Sequence, residues 1–454
     1  MAQIVLLQSV AQAPSKPQRA LGLWSSMALV IGSMIGSGIF LLPASLAPFG
    51  GISLLGWLLT TAGALFLALL FSQLASMVPR VGGPYAYTRL GFGDFAGFWI
   101  AWGYWISIWT GNAAVAVTLV SYLQVVIPAL AGNRWVSALI AIGAIWLVTW
   151  INLLGIKQVG IFQVLTTILK LLPLVALAVL GLFWVHWNHF TPFNSSGMSP
   201  FAAVTSVASL TLWAFLGVEA ATIPADDVET PSTTIPRATL LGTLVTALVY
   251  ILSFVAVMGI VPLAHLAKSS APYAEAAGMI WGRWAFYFVG IGAVISCLGN
   301  LNGFTLIQGQ VPMATAQDHL FPRAFGQKSK QGVPWFGVAI SSTLITLLLV
   351  FNYSNTSSLV QIFTFIILLT TLTTLVPYAF CAMAELILLI QHRREFNRRR
   401  LIGSSVIGIV AFIYSVWTVY GAGEQTVMLG FLLLLLGIPA YVWMRKQQAD
   451  EADA

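Results

Sequence analysis

The stretch Ile35-Gly36-Ser37-Gly38-Ile39-Phe40 lies inside an apolar run from about residue 23 to 48. A helix that crosses lipid satisfies every backbone hydrogen bond internally. Two glycines flanking a serine loosen such a helix in its middle. Opened backbone at membrane depth is tolerated only where protein or a watery cavity surrounds it. The N–H groups freed at the start of the second half-helix then suit a carboxylate. This run therefore predicts a binding site for a small zwitterion as well as an anchor.

Composition puts the rest of the chain in the membrane too. The sequence is 59% apolar and 12% aromatic, with only 7% charged residues; a soluble domain carries about a quarter. Cys297 and Cys381 both fall in apolar stretches and give neither a disulfide framework nor a metal spacing. They read as buried packing residues. The net charge of +7 is spread over loops, which points to membrane orientation, not to a nucleic-acid partner. No cofactor and no metal are expected.

Windows of about 20 apolar residues, the length needed to cross, number twelve. They fall at roughly 23–48, 52–77, 94–127, 135–153, 159–185, 201–223, 237–261, 276–314, 334–352, 359–390, 402–421 and 425–444. The third, eighth and tenth exceed bilayer thickness and are expected to tilt or to project as helix beyond the lipid. Residues 1–22 hold Pro14, Lys16, Pro17 and Arg19 and read as a flexible tail without a cleavable signal. Residues 23–445 form one transmembrane domain in this reading, and 446–454 a second tail.

Charge bias orients the spans. With the N-terminus in the cytoplasm, all Lys and Arg except Arg134, Lys268 and Arg283 (outside) and Lys170 (in the membrane) fall on the cytoplasmic side. Both termini are then cytoplasmic, in a multi-pass protein of the cell (inner) membrane. The basic cluster from Arg393 to Arg400 reads as topogenic charge, with contact to anionic lipid as the functional alternative.

A second interruption lies in the sixth window, where Phe215-Leu216-Gly217-Val218-Glu219 is followed by Pro224. The first interruption is followed by Pro43. Five spans separate them, so spans one to five (about 23–186) and six to ten (about 201–390) read as repeats of opposite topology, with two extra spans at about 402–444. Interrupted helices at matching positions of two repeats point to a substrate site at the midplane.

Together these segments resemble the amino acid–polyamine–organocation (APC) superfamily, and within it the basic amino acid and polyamine antiporters of the arginine/agmatine type. The resemblance is carried by Ile35-Gly-Ser-Gly-Ile-Phe-Leu-Leu-Pro43, Gly82-Gly-Pro-Tyr-Ala-Tyr87, Gly111-Asn112, Thr211-Leu-Trp-Ala-Phe-Leu-Gly-Val-Glu219 and Thr374-Leu-Val-Pro-Tyr378. Asp226-Asp-Val-Glu-Thr-Pro231 and Ile235-Pro-Arg237 add to it. It implies an all-α integral membrane protein with the LeuT-type fold: twelve helices, a five-plus-five inverted repeat with broken first and sixth helices, and two extra helices. It also implies a homodimer in the lipid bilayer and an amino acid or decarboxylated amine as substrate.

Backbone at Ile35, Gly36, Ser37 and Gly38 is expected to hold the substrate carboxylate. Carbonyls freed from Ala214 through Leu216 to Gly217 are expected to take the ammonium. By resemblance Trp213 is a gate that closes over the substrate, and an indole face also holds a cation. The resemblance places Tyr104, Asn112, Thr370 and Tyr378 among pocket and gate residues, with Tyr104 and Tyr378 as gates. Ser33 stands where the antiporters have asparagine. Phe304, in Asn302-Gly-Phe-Thr305, stands where they have a second tryptophan and offers a weaker cation–π face. That leaves room for smaller or neutral substrates.

Lys170 in Thr167-Ile-Leu-Lys-Leu-Leu-Pro173 sits about 16 Å of helix from one end of its span, at the usual rise. A charge at that depth normally faces protein and marks a functional path. It reads either as a coupling group that loads and loses a proton or as a fixed strut; both argue against sodium. Glu219 is the other membrane charge, a proton-sensing group by resemblance or a cap for loosened N–H groups. Glu385, near the cytoplasmic end of the tenth span, is expected to be solvated or paired with the basic cluster that follows.

Two transport modes stay open: amino acid exchange, and proton symport of neutral amino acids. A membrane-embedded enzyme would need a nucleophile or metal constellation. The five histidines, His186, His189, His265, His319 and His392, map to loops or span ends, and neither GxSxG nor HExxH occurs. A channel or a transport-inactive receptor of the same fold is the remaining alternative.

Overall fold

A computed structural model describes residues 22–36, 38–78, 83–154, 171–219, 222, 228–355, 358–393 and 397–452. Among these, every extended element is helical. Helices α1 (Leu23–Met34) and α2 (Gly38–Leu46) share the first apolar window; α3 (Ser53–Met77) fills the second. A short helix α4 (Pro84–Phe92) leads into α5 (Asp94–Val126), which is followed by α6 (Arg134–Leu153) and α7 (Leu171–Trp184). Helix α8 (Pro200–Leu212) ends in a tight turn over Trp213–Phe215. Then come α9 (Pro231–Ile260), α10 (Pro272–Trp281), α11 (Arg283–Gln317), α12 (Trp335–Asn355), α13 (Leu359–Gln391), α14 (Arg398–Tyr420), α15 (Glu424–Leu435) and α16 (Gly437–Ala452).

Starts are set by side chains that accept the first free N–H groups. Asn133 caps α6 through the N–H of Trp135 and Val136, Ser199 caps α8, Ser358 caps α13 and Asn397 caps α14. Among the described residues, nine helical stretches are long and apolar enough to cross a membrane. Three shorter apolar helices accompany them: α1, α7 and the run Pro200–Phe215.

The oversized eighth window is a correction. It is two helices, α10 and α11, separated at Gly282, whose φ of +84° turns the chain. The third and tenth windows are single helices, α5 and α13, of 33 residues each.

Burial fixes the layout. The central apolar window of α5 is 94% buried, whereas the run Glu424–Lys446 is only 22% buried. Helix α5 is therefore the axis, packed along α11 and α13, and the last helices are peripheral. On the other side α9 packs on α3 and α1. Small residues allow close approaches: a Cβ on Gly242 of α9 would stand 2.9 Å from Val30 of α1, one on Gly56 of α3 2.1 Å from Val207 of α8, and one on Gly63 of α3 2.2 Å from the Tyr414 ring of α14.

Candidate functional site

The α1–α2 chain leaves helical geometry at Ile35, where ψ is +92°. Gly36 is the one residue type that fits there, because a Cβ would fall 1.4 Å from Asn300 Nδ2 on α11. The carbonyl of Met34, freed by the break, accepts a 2.6 Å bond from Tyr250 Oη on α9, and that of Phe40 a 2.9 Å bond from Tyr122 Oη on α5. The first N–H groups of α2, from Gly38 onward, have no acceptor within their own helix and face the break.

The second interruption follows α8. After the turn Trp213–Phe215 the chain extends at Leu216 (ψ +136°) and reverses at Gly217 (φ +99°), a conformation that favours glycine. Ser33 Oγ joins the two interruptions, within 2.8 Å of Val30 O on its own helix and 3.1 Å of Gly217 O.

Between the interruptions lies a cavity of about 40 Å³. A single water needs roughly 10–15 Å³ in this measure, so it has room for a few waters and must widen to take an amino acid. Its wall includes Ser33, Gly38, Tyr104, Trp213, Leu216, Gly217, Glu219, Phe304 and Thr370. Trp213 crosses the middle: its Nε1 lies against Gly38, and its benzo edge lies 3.2 Å from a Cβ built on Gly111. Thr370 Oγ1 lies 2.9 Å from Thr110 Oγ1 and from Ile366 O.

Glu219 is 2% exposed and takes two phenol bonds. Tyr104 Oη donates to one carboxyl oxygen and Tyr378 Oη to the other, each at 2.5 Å. The clamp joins α5, the second interruption and α13 at one wall of the cavity. Tyr378 does not itself line the cavity; it meets the cavity wall through its bond to Glu219.

Other sequence-derived site residues fall elsewhere. Ile35, Gly36 and Ala214 are buried beside the cavity without lining it. Asn112 is outside its wall, fully buried, with Nδ2 2.8 Å from Gln308 Oε1 on α11. Gln308 continues to Ser342 of α12 at 3.3 Å, and Ser342 lies 2.7 Å from Thr149 of α6. The physical reason is helical phase. Tyr104, Ser107, Ile108, Gly111 and Val115 share one stripe of α5 and all line the cavity, and Asn112 is turned about 100° away from Gly111. Ser37 and Lys170 lie outside the described residues.

Sequence reasoning missed Met34, Ser107, Ile108, Val115 and Asn300 in the wall, and treated Gly111 and Thr374 only as motif residues. A signal existed. Each of the α5 residues, the pair Asn300 and Phe304, and the pair Thr370 and Thr374 follow helical spacing from a residue already singled out. The expectation for Glu385 is overturned: it is not solvated but fully buried where α14 covers α13 at Gly408.

Among the described residues no group of three His, Cys, Asp or Glu side chains stands close enough to hold a metal ion. The arrangement offers backbone donors, backbone acceptors, aromatic faces and a clamped carboxyl, which suit binding and release.

Comparison with known proteins agrees with this chemistry. The model of the amino acid permease family matches residues 21–441. An arginine/ornithine antiporter of Pseudomonas aeruginosa is 33% identical, over 90% of this chain and 88% of its own length. A cadaverine/lysine antiporter of Escherichia coli is 32% identical over 73% and 74%. An arginine/agmatine antiporter of Chlamydia caviae is 31% identical over 96% and 92%. The chain belongs to the amino acid permease family of membrane transporters.

Proposed function

We propose that the chain is an amino acid antiporter that exchanges a basic amino acid for a related amino acid or amine by alternating access. The observation that carries this reading is the pair of interrupted helices that face one cavity, with Trp213 between them. Relatives named as antiporters of arginine, ornithine, agmatine, lysine and cadaverine favour exchange over proton symport.

In this reading the substrate carboxylate binds the N–H groups that open α2, Gly38 among them, where the helix dipole favours negative charge. The ammonium binds carbonyls between Ala214 and Gly217. Trp213 closes over the side chain, and Phe304 offers the second ring. The Glu219 clamp with Tyr104 and Tyr378 must loosen for the cavity to widen. Lys170 supplies the positive charge that makes sodium unnecessary.

The finer architecture belongs to the same proposal. Twelve crossings include an inverted repeat of about residues 23–186 and 201–390, supported by the five-span separation of the interruptions. Two further crossings lie at about 402–444. Both termini face the cytoplasm from the inner membrane, as the bias of Lys and Arg supports, and the protein works as a homodimer.

The test is purified protein in liposomes, in sodium-free buffer, with labelled arginine, lysine or ornithine outside. Uptake is expected only when a substrate is also loaded inside. Uptake into empty liposomes driven by a pH gradient would replace exchange with symport. Trp213→Ala is expected to insert normally and to lose exchange.

A further inference from the structure

Glu385 stands two turns past Tyr378 on α13 and does not line the cavity. It is fully buried, and neither carboxyl oxygen has a hydrogen-bond partner among the described residues. The recess that holds it exists because α14 presents Gly408. A Cβ there would stand 2.9 Å from Glu385 Oε2, 3.3 Å from Ala382 O and 3.4 Å from Leu386 Cδ2.

No described cation faces this recess. Helices α2, α3 and α8, which pack against α13, carry no charged residue. Helix α5 carries only Asp94 and α15 only Glu424, each at the helix start. Helix α4 contributes the phenols Tyr85 and Tyr87 and Arg89, whose guanidinium is held by Asp94 and Asp318. On α14, Arg398, Arg399 and Arg400 are exposed and lie about 12 Å of helix or more before Gly408. On α13 itself, Cys381 is engaged with Thr88 and Pro84 O, and His392 sits past the helix end against Leu388 O. An ionised carboxylate in this recess would give up its hydration with nothing in return, whereas a neutral acid gives up far less.

We propose that Glu385 is a proton-binding site separate from the substrate cavity. The carboxyl holds a proton while α13 and α14 are packed together, and passes it to water when that interface opens in the transport cycle. Helix α13 links the two events, since it carries both Tyr378, which clamps Glu219, and Glu385. A movement of α13 that frees the clamp also acts on the recess.

The test uses the full chain in liposomes and dicyclohexylcarbodiimide, an apolar reagent that attacks protonated carboxyl groups. Mass spectrometry is expected to find Glu385 modified at neutral pH. E385Q, a neutral mimic, is expected to melt as the wild type does, and E385A at a lower temperature. Only the transport readout rests on the antiport reading: exchange of labelled arginine by E385Q is expected to lose part of its dependence on pH between about 5 and 8. An unmodified Glu385 overturns the proposal, as does E385Q exchange with the wild-type pH profile. If E385Q does not fold, labelling of the wild type decides. If the wild type exchanges no substrate, the antiport reading fails while the labelling result still stands.

Discussion

The indole nitrogen of Trp213 lies against Gly38, so closely that a Cβ at Gly38 would stand 2.8 Å from it. The benzo edge of the same ring meets Gly111 at the other side, where a Cβ would stand 3.2 Å away. Two glycines on two different helices thus make the slot in which the ring lies. Gly38→Ala therefore displaces the ring or the start of α2, and overpacking of this kind costs about 1–3 kcal/mol. Exchange in liposomes is expected to fall by roughly tenfold or more at equal insertion, since each 1.4 kcal/mol is about a factor of ten. Gly111→Ala is expected to fall less. Wild-type rates in Gly38→Ala would mean that the ring does not need this seat.

The Glu219 clamp predicts coupling between two phenols on different helices. Tyr378→Phe leaves one buried carboxyl oxygen without its donor, at a cost of about 1–3 kcal/mol. Tyr104→Phe does the same to the other oxygen. Because both act on one carboxyl, their effects on exchange are expected to be non-additive. A double-mutant cycle on exchange rates measures this, and strict additivity would show that the phenols act independently.

Much of this site is legible in the sequence, for a local reason. The interruptions lie at Gly36, Gly38 and Gly217, where a side chain is excluded by contact or by a positive φ. Glycine with serine or proline in an apolar run carries that information by itself. Residues whose role depends on a distant partner are not legible. The partner of Asn112 is Gln308, 196 residues away, and the cover over Glu385 is Gly408 on the next helix. Asn300 sits in Gly299-Asn-Leu-Asn302, where nothing local separates the amide that lines the cavity from Asn302, which meets Asn152 on α6.

That difference between amides gives a third prediction. Asn112→Ala leaves Gln308 Oε1 without its donor inside the bundle, and an orphaned buried acceptor costs about 1–3 kcal/mol. It is expected to lower the melting temperature and leave the substrate KM of the folded fraction unchanged. Asn300→Ala removes a side chain from the cavity wall and is expected to do the reverse, raising KM while sparing stability. Thermal melting and exchange kinetics of the two variants check this. The opposite pattern would return Asn112 to the pocket.

Where α4 meets the start of α5, Arg89 bridges Asp94 and Asp318 at 2.8 Å each, and Tyr85 Oη donates to Asp318 at 2.7 Å. This ties α4 to the end of α11. The carboxylates are about half exposed, so Asp318→Asn is expected to cost only about 0.2–1 kcal/mol, screened by salt. Burial, then the bond to the Asp318 carboxylate, pushes the Tyr85 phenol above its ordinary value. A raised value means that its contribution to stability is full below the unfolded-state value of about 10 and fades as pH climbs past it. Tyr85→Phe is therefore expected to lose less stability than the wild type as pH rises above about 10, as melting curves would show. Identical alkaline slopes would remove Tyr85 from this account.

In the proposed function Phe304 is the second ring that meets the substrate's cationic end. It lines the wall one turn from Asn300 on the same face of α11. A phenyl face attracts an ammonium or guanidinium less than an indole does, and cation–π contacts contribute about 0.5–2 kcal/mol. Because the phenyl already supplies part of that attraction, Phe304→Trp is expected to improve apparent affinity for arginine over a neutral amino acid by only part of it, roughly two- to fivefold. The larger ring also fills a cavity of about 40 Å³, so the maximal rate is expected to fall as affinity rises. Competition between labelled arginine and unlabelled neutral amino acids measures the ratio directly. A ratio unchanged from the wild type would show that the substrate's cationic end does not reach α11, and would move recognition of that end to the Trp213 side of the cavity.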